Sequence, residues 1–159
     1  MEFPERVFTE EEVKRVKELI ERGYKHRLRV MGSPEFKREI EKTLKLIKTA
    51  GYYDFLCTYI RQIQEIEGFS QLHEADVTIW ANMPMLDDTV DAASYIVQKA
   101  QQMKDYLEGK LYYGTGEMSA IEKRLEFLEK LKEKSKSQDV KKNCEELLKR
   151  WSDTKIMFP

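Results

Sequence analysis

The chain has 159 residues, 41% of them hydrophobic and 36% charged, with 28 Lys plus Arg against 29 Asp plus Glu. That length suits one domain burying about two-thirds of its unfolded surface, and the composition excludes a collagenous or largely disordered chain. Near-neutral charge supplies no basic field to draw the chain onto a polyanion, so nucleic acid is not an expected partner; no run approaches the ~18 consecutive apolar residues of a membrane span.

The opening MEFPERVFTEEEVKR has no apolar h-region of the kind a secretory signal carries, which sets the expectation of a cytoplasmic protein. Residues 9–22, TEEEVKRVKELIER, put Val13, Val16, Leu19 and Ile20 on one face behind Thr9, predicting a first amphipathic helix closed by Gly23. Leu28 and Val30 then alternate with Arg27 and Arg29, the period of a half-buried strand. Ser33 and Pro34 are N-cap and N1 chemistry for a helix running to about Ala50, with Phe36, Ile40, Leu44 and Ile47 inward and Gly51 as C-cap.

From Tyr52 to about Glu67, the residues Phe55, Leu56, Tyr59, Ile60, Ile63 and Ile66 predict a third helix with a broad apolar face. Val77, Ile79 and Ala81 alternate with Thr78, Trp80 and Asn82, predicting a strand that ends at Pro84. This strand and the one near Leu28 are expected to pair.

The segment from Asp87 to Gly109 predicts a long central helix, opened by Asp88 or Thr89 and closed by Gly109. Ala93, Ile96, Val97, Ala100, Met103 and Leu107 make one apolar face, and Ser94, Gln98, Gln101, Gln102 and Asp105 line the other. A loop, LYYGTGEMSA, leads into a helix from Glu117 to about Ser135 with Ile121, Leu125, Leu128 and Leu131 as its buried row. A last helix is expected from Ser137 to Trp151, with Val140, Cys144, Leu147, Leu148 and Trp151 inward, and 1–8 and 152–159 as loosely ordered ends of a single domain spanning 1–159. The fold class is α+β, mainly α, with five to six helices and a two- or three-stranded sheet.

Gln98 and Gln102 stand four apart on one helical face with Lys99 beside the first. Two histidines at that spacing hold zinc in the HExxH motif, the glutamate between them acting as general base. The order strand, helix, helix, strand, central helix, loop, Glu-headed helix over residues 27–131 resembles that of the zincin metallopeptidases. The resemblance implies that Gln98 and Gln102 occupy the histidine positions, Lys99 the general-base position, and Glu117, or else Glu122, the third-ligand position. Amide oxygens are weak zinc ligands, and an ammonium beside a dication is repelled and accepts no proton from bound water. A chain of this kind would be a degenerate, non-catalytic relative with neither zinc nor another cofactor.

Tyr95 and Tyr106 flank the polar stripe, suited to the wall of a small-ligand or peptide groove and equally to the edge of a core. The plainer reading of the whole stripe is a solvated face on a packed helix, in a helical interaction module that acts through a homo-oligomeric interface. His73-Glu74 does not open a second HExxH, since Val77 stands four residues after His73. Asp87, Asp88 and Asp91 fit helix capping better than acid-base work, no serine sits in a G-x-S-x-G elbow, and Gly114-x-Gly116 lacks a preceding strand. Cys57 and Cys144 have neither zinc-knuckle nor CxxC spacing and are read as packed, reduced thiols. The Lys and Glu content is compatible with a thermophilic source.

Overall fold

The computed structural model describes residues 28–109 and 115–157, so the helix predicted over residues 9–22 and the tyrosine pair of the later loop lie outside the described residues. In chain order the described elements are β1 (Arg29–Met31), α1 (Pro34–Ala50), α2 (Tyr53–Tyr59), β2 (Gln62–Glu65), β3 (Gln71–His73), β4 (Thr78–Ala81), α3 (Thr89–Leu107), α4 (Thr115–Lys134) and α5 (Gln138–Met157). This is an α+β architecture, mainly helical. Short 3₁₀ turns at Glu74–Asp76 and Met83–Asp87 flank β4.

Local chemistry fixes the ends of α1. The Ser33 hydroxyl accepts from Phe36 N–H at 3.1 Å, Pro34 opens the first turn, and Gly51 closes the helix at φ 84°, where a side chain would be strained. Glu65, from β2, adds a carboxylate at this positive helix end by accepting from Ser33 N–H at 2.8 Å. The approach is close enough that a Cβ on Gly32 would stand 2.7 Å from both Glu65 Cβ and a Phe36 ring carbon.

The third predicted helix is half right. It stops at Tyr59, and Ile60 turns extended at φ −122°, ψ 130°. The residues beyond become β2, paired on both sides by β1 and β4, and Arg61 just before it is already held on both sides: Arg29 N–H donates to Arg61 O at 2.9 Å, and Arg61 N–H to Val77 O at 2.9 Å. The isoleucines at 60, 63 and 66 mimic a helical step, but β-branched residues fit a pleated surface equally well. The sheet order is β1-β2-β4-β3, with β1, β2 and β4 parallel and β3 antiparallel at the end. The strands near Leu28 and Val77 therefore share a sheet without pairing, because β2 lies between them. With β3, also unforeseen, the described sheet has four strands rather than two or three. The row Val30, Ile63, Ile79 and Leu72 joins the core, while Gln64, Trp80 and Gln71 point to the opposite face.

Helix α3 is the hub, packing against α1, α2, α4 and the sheet, and α4 in turn packs against α5. Asp88 is its N-cap, accepting from Asp91 N–H at 3.0 Å, and Gly109 follows its end at φ 78°. The core is one continuous cluster from Phe36 to Leu147. In α4 the deep row is Ala120, Arg124, Phe127, Leu128 and Leu131, with the predicted Ile121 and Leu125 only half-buried. Helix α5 continues past Trp151 to Met157, into the stretch expected to be a loose end. No helix among the described residues is long and apolar enough to cross a membrane.

Candidate functional site

The polar stripe of α3 is not a solvated face. Ser94 and Asp105 are fully buried and Gln101 is 5% exposed, because α4 lies across them. At the Ser94 end of the stripe, the residue that makes this tolerable is Arg124. Its Nε donates to Ser94 Oγ at 2.8 Å, Nη1 to Gln98 Oε1 at 2.6 Å, and Nη2 to Asp91 Oδ1 at 2.6 Å. The Ser94 hydroxyl in turn donates a hydrogen bond to the Asp91 backbone carbonyl at 2.7 Å. A planar guanidinium with donors fixed in a fork can meet three acceptors on successive turns of one helix; a lysine cannot.

Arg124 also stacks on the third helix of this bundle, with Cζ 4.8 Å from the Trp151 ring centroid, and 6.0 Å from that of Tyr95. Burial pulls the guanidinium below its ordinary pKa, and the Asp91 carboxylate works in the opposite direction. A second polar tie joins α5 to the start of α3, where Asn143 Nδ2 donates to Asp88 Oδ1 at 3.0 Å.

Further along the same seam, Gln101 Nε2 donates to Asp105 Oδ1 at 2.9 Å and reaches Ser119 Oγ at 3.4 Å. With Arg124 level with Asp91 to Gln98, and Ser119 level with Gln101, α3 and α4 run antiparallel. Glu117 is exposed and lies at the far end of this pairing from Gln98, and Glu122 is exposed as well. The α4 side chain that reaches Gln98 is thus Arg124, not a carboxylate.

Lys99, Gln102 and Tyr95 do gather. Lys99 Nζ donates to Gln102 Oε1 at 3.0 Å and lies 5.0 Å from the Tyr95 ring centroid. Burial first, then the Arg124 charge, pulls the Lys99 ammonium below the usual lysine value, with Glu74 offsetting part of this. Burial pushes the Tyr95 phenol up to about 12 against the pull of Arg124. Its hydroxyl is buried without a hydrogen-bond partner among the described residues. Tyr106, half-buried, packs against the core from another part of α3.

Among the described residues no three His, Cys, Asp or Glu side chains are placed to share a metal ion. Arg124 escaped the sequence reading because it occupies an apolar-row position. The available signal was its type: it is the only arginine in α4, among lysines on the outer faces, and arginine is the usual choice for a buried cation. Set against protein-family models, curated proteins and solved structures, the chain matches none of them.

Proposed function

We propose that the chain is a non-catalytic protein on a scaffold related to the zincin peptidases, whose former motif helix now serves packing and whose remaining polar rim, at Lys99, Gln102 and Tyr95, receives a small ligand or a partner. The observation that carries this reading is the Arg124 guanidinium on Gln98. A fixed cation 2.6 Å from that amide oxygen holds the ground a dication would need, and like charges at that range repel strongly in a partly dry site. The order of elements that suggested the scaffold is kept in part: α3 follows β4 through the 3₁₀ turn Met83–Asp87 and α4 packs along its polar face, while β2 and β3 are additional strands.

Zinc titration of the Gln98→His, Lys99→Glu, Gln102→His variant tests the kinship. With Arg124→Glu added, so that the guanidinium gives way to a third ligand at the position that reaches residue 98, a peptidase-like scaffold should gain one tight tetrahedral zinc per chain. No gain in affinity in a folded quadruple variant counts against the relationship.

A helical interaction module remains the second reading, favoured by Phe69. This side chain is 90% exposed, on a loop that Asn82 holds in place by donating from Nδ2 to Gly68 O and from N–H to Ser70 Oγ, both at 3.0 Å. Loss of self-association in a Phe69→Ser variant, measured by sedimentation, would support it over the first.

A further inference from the structure

Sheets whose strands run mostly parallel are covered on both sides, since helices pack over each face. Here α1 packs on β1 and α3 on β3, from the side that carries Val30, Ile63, Ile79 and Leu72. The register sets Met31, Gln64, Trp80 and Gln71 in one row on the other side, with Gln62 and His73 in the row beside it. Met31 is 45% exposed at the edge of this second face.

The polar groups of that face are engaged with one another. Gln62 Nε2 donates to Gln64 Oε1 at 3.0 Å, Gln64 Nε2 donates to Glu65 O at 3.2 Å, and the His73 ring lies flat on Trp80 with centroids 4.3 Å apart. Amides bonded in this way lose little when apolar side chains cover them. Among the stretches outside the described residues, 110–114 and 158–159 are too short to span a sheet face. Residues 9–22 carry Val13, Val16, Leu19 and Ile20 at helical spacing, a stripe that needs a surface. Residues 23–27 tether this stretch to the start of β1 by about 20 Å at full extension, enough to lie over four strands that together span about 14 Å. The core side of β1 is already taken by α1.

We propose that residues 9–22 dock as a helix on the second face of the sheet, with the apolar stripe on Trp80, Met31 and the stems of the glutamines. The occupant is a segment of the same chain because the short tether holds the stripe beside the face at high effective concentration. The inference goes beyond the reading above and needs neither zincin ancestry nor Phe69.

The test uses the full chain with Trp151→Phe, which keeps a ring against Arg124 and leaves Trp80 as the sole tryptophan. Adding Leu19→Asp and Ile20→Asp should raise acrylamide quenching of Trp80 several-fold, while Glu18→Lys, on the opposite side of the stretch, should leave it unchanged. Unchanged quenching in the folded double-aspartate variant, or an equal rise in Glu18→Lys, would overturn the proposal. Independently, hydrogen exchange of the unmodified chain should show protected amides within residues 13–20, and exchange there at the free-coil rate would overturn it too. Sedimentation tests the occupant: a dimer whose dissociation on dilution exposes Trp80 would give the face to a second copy and contradict docking within one chain.

Discussion

Arg124 Nη2 meets Asp91 Oδ1 at 2.6 Å across the seam of α3 and α4, with the arginine side chain 9% exposed and the aspartate 41%. The asymmetry sets the expected cost of breaking the pair. Asp91→Ala strands a buried cation on two neutral acceptors and should destabilise by about 2 to 3 kcal/mol, discounted from a fully buried pair. Arg124→Met leaves a carboxylate that still reaches water and should cost less. Urea unfolding of both and of the double variant should give a coupling of about 1 kcal/mol or more.

Asp88 Oδ1 serves two donors, Asp91 N–H and Asn143 Nδ2. Asp88→Ala therefore loses both the cap of α3 and the tie to α5, and should lower stability by about 1 to 2 kcal/mol. Asn143→Ala should cost about 1 kcal/mol or less. Because Asp88→Ala already removes the acceptor of the Asn143 bond, the double variant should lose less than the sum of the two single losses, which thermal unfolding will show.

Ile63 is fully buried in the middle of the sheet, whereas Ile66, beyond β2, is only half-buried. Ile63→Ala should cost about 2 to 5 kcal/mol, and Ile66→Ala clearly less. Equal losses at the two positions would fit a continuous helix through this stretch instead of a strand.

The contrast explains what the sequence could tell. Helix α1 was legible because Ser33, Pro34 and Gly51 act on backbone groups within a few residues of themselves. Strand β2 was not, since its partners come from β1 and β4 and the isoleucine spacing suits either period. Ser94, Gln101 and Asp105 read as solvent-facing because what covers them, including Arg124 and Ser119, belongs to another helix. The positions Gln98, Lys99 and Gln102 could be singled out by spacing alone. That Gln98 is held by a guanidinium, and that Lys99 lacks a carboxylate partner among the described residues, depends on packing.

Cys144 is fully buried, and burial pushes its thiol from 9.0 up to about 11. The folded chain thus holds the proton more tightly than the unfolded one. The corresponding stability is intact below pH 9 and is lost as pH rises towards 11, by at most about 2 kcal/mol. Urea midpoints should fall over that window in the wild type, and fall less in Cys144→Ala, whose cavity cost is independent of pH.

Zinc titration of the unmodified chain by calorimetry, run beside a peptidase assay, bears most directly on the claim that Arg124 has turned the polar face of α3 into a packing surface. The account predicts no saturable one-site binding and no turnover. One tightly bound zinc per chain, lost in a folded Gln98→Ala, Gln102→Ala variant, would contradict it.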